Sequence, residues 1–179
     1  INSFKNLPNK SEIGAIGLNS IDSNGKLNYN NNFTTKDYLI TSGMFVPLKI
    51  FINYGFFKES YFIDNVDLEF SLRIRSFKKK LLLTKSAGII HKPGNTIYKN
   101  FFNLTTFQSS NHNSIRRFYM SRNNFLLSKE YVLKFPFFIL KLNYFFLKSV
   151  FLFVLVEKNI KPKLYETFRG FLESFKKIK

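Results

Sequence analysis

Residues 61–75 read YFIDNVDLEFSLRIR, and the fold depends on whether this stretch is a strand or a helix. Val66, Leu68, Phe70, Leu72 and Ile74 alternate with polar residues, a period of two that by itself suits a strand. Charge order points the other way. Asp67 and Glu69 come first and Arg73 and Arg75 last, the order a helix dipole favours. Glu69 and Arg73 are four apart, the spacing at which side chains meet on one helix face. Asp64 or Asn65 can cap the start. The stretch is therefore read as a helix over residues 66–77. That puts Asp67 in the first turn, with its carboxylate toward the loop side of a sheet, where α/β proteins bind ligands. The chain has 11 acidic residues against 28 basic ones, so three carboxylates inside an apolar segment stand out. A partly buried carboxylate can have its pKa moved and act as a general base. The plainer alternative is that Asp67 and Glu69 open the helix and pair with the arginines.

Upstream, residues 38–41 read as a strand running into Ser42 and Gly43, where glycine permits a tight bend and small side chains leave room for a ligand. Pro47 and Gly55 punctuate a short helix whose Ile50, Phe51 and Tyr54 should face a core. Residues 13–17 suit a buried strand, residues 22–26 a turn and residues 28–32 a polar loop. Downstream, residues 81–84 and 88–91 are two short strand-like runs, the second ending at His91. Residues 95–112 read as a loop or mobile segment, and residues 114–129 as a helix. Strands interleaved with helices give an α/β fold.

With 179 residues, 45% hydrophobic content and 24 phenylalanines, the chain can build a core and is too apolar for a disordered segment. It has no cysteine, which excludes disulfides, zinc–thiolate sites and thiol nucleophiles within this segment. A net charge of +17 attracts phosphate groups, on nucleic acid, lipid or a sugar nucleotide. Richness in Lys, Asn, Ile and Phe also fits an A/T-rich genome. Residues 131–156 are mostly Phe, Leu, Val and Ile, with Lys134, Lys141 and Lys148 every seventh residue, and Pro136 marks the helix start. The longest uncharged run, residues 149–156, is short of the roughly twenty residues a span requires. A helix lying in the membrane interface, with lysines reaching the headgroups, fits better. Residues 131–179 carry ten basic and three acidic residues, and the net +7 favours anionic lipid. The expected division is residues 1–130 as a folded α/β part and residues 131–179 as an amphipathic, membrane-associating tail.

Taken in order, the blocks LITSGM (39–44), YFIDNVDLEFSLR (61–73), GIIHKPG (88–94) and RRFYMSRN (116–123) resemble the C-terminal half of family-2 glycosyltransferases, nearest to bacterial rhamnosyltransferases. The resemblance covers residues 13–123, with a weaker echo at 168–174. It implies a GT-A fold and inverting transfer of a sugar from a nucleotide-sugar donor to a glycan or lipid-linked glycan. Together with the basic tail, it leads to the expectation of a peripheral protein on an anionic membrane surface, at the cytoplasmic face of the bacterial inner membrane, with no nucleic acid partner. Asp67 would be the catalytic base, with Asp64 and Glu69 as local rivals. Thr41, Ser42, Gly43, Asp64 and Glu69 would bind the acceptor. Arg117 and Arg122 would hold the diphosphate, and His91 would sit by a divalent metal, Mg²⁺ or Mn²⁺. Lys58 stands where the family usually has an acid. No Asp-x-Asp motif and no nucleotide-binding half precede these blocks, so the segment is expected to be a truncated reading frame, inactive alone. A basic nucleic-acid-binding module and a non-catalytic membrane-surface protein are the alternatives. The first has the charge and aromatics but no recognisable binding motif.

Overall fold

The computed structural model describes residues 9–21, 33–90, 96–101 and 105–176. These residues form a mixed α/β protein with a mixed sheet and five α-helices, divided into two compact units.

The first unit comprises Ile1–Lys58 and Val66–Lys92. Its strands are β1 (Ile13–Ile21), β2 (Phe33–Thr35), β3 (Met44–Phe45) and β4 (Lys80–Ile90), and its helices α1 (Leu48–Tyr54) and α2 (Val66–Ser76). The sheet order is β2-β4-β1-β3. β1 and β4 run parallel, and β2 and β3 flank them antiparallel. The central stretch is a helix, close to its expected limits. It reads like a strand because it is enclosed: Leu68, Glu69, Phe70, Ser71, Leu72 and Ile74 are all buried. A helix buried on most sides has no clean polar face to betray its period. Phe70 and Ile74 join Ala15, Leu39, Ile50 and Leu81 in the core. Pro47 precedes α1 and Gly55 closes it at φ 86°.

Two expectations in this unit are corrected. Residues 38–41 are not a strand. The Leu39 N–H goes to the Ser71 side chain instead of to a ladder, and β3 begins only after Gly43. The runs expected at 81–84 and from 88 onward are one strand, β4, which is described as far as Ile90. Leu18 pairs with Thr84 and Asn19 with Gly88, so Lys85, Ser86 and Ala87 fall outside the ladder with β1. That irregularity is what made one strand read as two. The turn and loop expected within residues 22–32 lie outside the described residues.

The second unit comprises Glu59–Asn65 and Pro93–Lys179. Where a loop or mobile segment was expected, β5 (Ile97–Phe101) and β6 (Thr105–Ser109) pair as an antiparallel hairpin. Then come α3 (Ser114–Tyr131), α4 (Pro136–Val156) and α5 (Ile160–Glu173). Asn113 caps α3 by accepting the Arg116 N–H at 2.8 Å. Pro136 opens α4, where its missing N–H costs nothing. The α3 and α5 backbones meet at Gly170, which is buried. A Cβ there would land on the Phe118 carbonyl oxygen. The Asn123 amide donates to the carbonyls of Tyr61, Ile63 and Asp64 at 2.6, 2.8 and 2.8 Å. It thereby fixes a segment in which Phe62, Asp64 and Asn65 all have positive φ. The expected boundary at residue 130 lies inside this unit, at the end of α3.

Candidate functional site

Asp67 stands in the first turn of α2, half-buried, where the dipole stabilises its charge. Its Oδ1 accepts the Leu68 N–H at 2.9 Å. The helix that carries it is held firmly. Glu69 is fully buried and meets Lys58 at 3.1 Å and Arg73 at 3.0 Å. Arg73 also donates to the carbonyls of Tyr54 and Phe56 at 2.8 and 2.7 Å, which fastens α2 to the end of α1. Lys58, an oddity in the sequence, thus serves as one of two counterions for Glu69. Glu69 has no solvent face to offer an acceptor.

One turn beyond Asp67, the buried Ser71 hydroxyl accepts the Leu39 N–H at 3.1 Å. This bond ties α2 to the chain that leads into Thr41, Ser42 and Gly43. There the Met44 N–H donates to the Thr41 carbonyl at 3.0 Å, closing a tight turn. Gly43 has φ 75°, its carbonyl accepts the Leu18 N–H at 3.1 Å, and a Cβ would press on the Leu18 side chain at 3.1 Å. Glycine is required there by both conformation and space. Thr41 is exposed and Ser42 partly so. Beside this segment lies an open pocket of 320 Å³, lined among others by Gly17, Asn19, Asp37, Tyr38 and Leu39. The exposed Tyr38 ring and the polar Asn19 and Asp37 give it a mixed polar and apolar lining.

The remaining expected site residues belong to the second unit or are not described. Asp64 forms a two-pronged pair with Arg116, both bonds 2.9 Å, which raises the Arg116 pKa. Arg117 is buried. It donates to Ser149 and Glu157, each at 2.9 Å, and lies over the Phe153 ring at 4.2 Å. Burial, only partly offset by Glu157, moves its pKa down. Arg122 donates to the Ser60 carbonyl and to Asn123 Oδ1, with its guanidinium 4.9 Å from the Tyr119 ring centroid. Both arginines therefore hold the second unit together. His91 lies outside the described residues.

Ser71, Arg116 and the Glu157 cluster escaped the sequence reading. Glu157 receives Arg117, Lys163 and the Ser109 hydroxyl in a buried network. Burial pushes its pKa up, but the bonds from Lys163 and Ser109 and the Arg117 charge outweigh that and leave it lowered. A signal existed: Glu157 is the only acid between residues 131 and 165, directly after a long apolar helix.

Comparison with family models, with curated proteins and with solved structures found no match to this chain.

Proposed function

We propose that the chain is the acceptor-side part of an inverting GT-A-type glycosyltransferase. The intact enzyme would move a sugar, rhamnose by the resemblance, from a nucleotide-sugar to a bacterial surface glycan. The observation that carries this reading is the mounting of Asp67. It is half-buried in the first turn of a helix that Glu69 anchors and that Ser71 ties to the approach to Thr41, Ser42 and Gly43. In this reading Asp67 takes the proton of an acceptor hydroxyl. The hydroxyl oxygen bonds to the anomeric carbon from the face opposite the leaving group. The bond from that carbon to the diphosphate oxygen breaks, and its electron pair leaves with the nucleoside diphosphate. The Tyr38 pocket and the exposed Thr41 are the natural contacts for an acceptor sugar.

The divalent metal implied by the resemblance finds no donor set among the described residues, which do not include His91. Among the described residues no three His, Asp or Glu side chains converge. The role derived for Asp67 does not depend on one.

The test uses the intact gene product, a panel of nucleotide-sugars and a lipid-linked acceptor, with nucleoside diphosphate release as the readout. Asp67→Asn should lower turnover about 10²–10⁴-fold, the range for loss of a general base, with donor affinity nearly unchanged. Near-normal turnover in that variant would remove Asp67 from the role. Absence of transfer with every donor in the unsubstituted protein would sink the function itself.

A further inference from the structure

α4 is 21 residues long and the one described helix apolar enough to cross a membrane, yet little of it is buried. Of its seven exposed large apolar residues, all but Phe145 form one row. Phe137, Leu140, Tyr144, Leu147, Phe151 and Val154 follow one another at spacings of three and four. At 3.6 residues per turn they fall within about 100° of arc. Lys141 and Lys148, both exposed, run along one edge of that stripe, and Lys134 stands one heptad earlier. α4 contains no carboxylate.

The other side of the helix is occupied by protein. Ile139, Phe153 and Val156 are buried. Asn143 accepts from the Asn124 amide at 2.6 Å and donates to the Ser128 hydroxyl at 3.0 Å, and Ser149 accepts from Arg117. These bonds run along α3, which carries Arg116, Arg117, Arg122 and Lys129. A transmembrane α4 would take that helix and its charges into hydrocarbon at high cost. One face bound to a polar helix and the opposite face apolar is the arrangement of a helix in the plane of an interface.

We propose that the stripe from Phe137 to Val154 is an in-plane docking surface for an anionic lipid bilayer. Its apolar side chains enter the headgroup–acyl boundary, and Lys134, Lys141 and Lys148 meet the lipid phosphates. Charge complementarity selects this occupant: a row of cations without a single acid suits anionic headgroups better than a second copy of the same basic surface. The inference rests on α4 and its packing and is independent of the glycosyl-transfer reading.

The intact gene product is mixed with vesicles of phosphatidylcholine alone and with vesicles containing phosphatidylglycerol, and sedimented. Binding should require the anionic lipid, weaken with salt, and be released by alkaline carbonate. Replacing Lys134, Lys141 and Lys148 with Gln should weaken it about a hundred-fold, from roughly tenfold or less per lysine. Phe137→Ser with Leu147→Ser should abolish it. Both positions are exposed, so circular dichroism should be unchanged. Ile52→Ser, an exposed apolar position on α1, is the control and should bind normally. Several outcomes would overturn the proposal: equal binding to both vesicle types, carbonate-resistant and protease-protected insertion of α4, or loss of binding in the control. Self-association lost in the serine variants, without vesicle binding, would assign the stripe to a second copy. No vesicle binding, with α4 protected from modification in solution, would assign it to another protein surface.

Discussion

The Ser71 hydroxyl accepts the backbone N–H of Leu39 at 3.1 Å, and both residues are buried. A helix interior thus satisfies an amide that would otherwise be paired in a sheet ladder. Ser71→Ala leaves that N–H without its partner, at a cost of about 1–3 kcal/mol. Hydrogen exchange at Leu39 should accelerate in the variant, and urea unfolding should shift to lower concentration. Unchanged protection at Leu39 would show that the bond does not hold this segment.

Glu69 and Asp67 are two residues apart on α2 and should behave differently when neutralised. Glu69→Gln leaves Lys58 and Arg73 beside a neutral buried amide. Removing one member of a buried pair typically costs about 3–5 kcal/mol. Here both cations keep some solvent access, which places the expected loss at the lower end. Asp67→Asn, in a half-exposed first turn, should cost about 1 kcal/mol or less. Thermal unfolding of the two variants side by side checks the order. A larger loss for Asp67→Asn would reverse the assigned roles of the two carboxylates.

The helix at 66–76 was legible through its charge order, although its apolar period pointed to a strand. Local electrostatics survived where amphipathicity could not, because burial around Leu68–Leu72 erased the polar face. The hairpin of β5 and β6 was not legible. Its strands, IYKNF and TTFQS, carry three apolar residues and one, without strict alternation, and no Asn-Gly turn of their own. The partners of Arg117 were hidden for another reason. Glu157 is 40 positions away, and a pairing over that distance leaves no periodic trace. The motif spacing that suggested diphosphate binding by Arg117 is equally the spacing of an inward-facing helix position.

Gly170 allows α5 to lie directly on the α3 backbone. Gly170→Ala would ordinarily favour a helix by up to about 1 kcal/mol. Here the added methyl group meets the Phe118 carbonyl oxygen and the Arg122 nitrogen, both backbone atoms that cannot turn aside. Overpacking of that kind costs about 1–3 kcal/mol, so the net effect should be destabilising. Exchange protection along α5 should fall in the variant. A more stable protein would mean that the two helices separate without loss.

Acid should loosen the second unit in two stages, and His112 sets the first. Burial lowers its pKa, the charges of Arg116 and Arg117 add to that, and Asp64 and Glu157 oppose it only in part. The unfolded chain takes up a proton near the ordinary value of 6.5, whereas the folded chain resists until a lower pH. The unfolded state therefore binds more protons in that window, and stability falls as pH drops through it. Above 6.5 the contribution of neutral His112 is fully present. It is progressively lost on the way down to the folded pKa. Glu157 sets the second stage. Its folded pKa lies below the ordinary 4.5, so its ion pairs with Arg117 and Lys163 stabilise the fold above that value and are lost as pH falls through the folded pKa. His112→Asn should remove the first stage and leave the second. Urea midpoints measured from about pH 7.5 to about pH 3.5, alongside NMR titration of the His112 ring, resolve the two. A flat profile through the first window in the unsubstituted protein, or an unchanged profile in His112→Asn, would remove His112 from the account. A second-stage loss that persists in Glu157→Gln would do the same for Glu157.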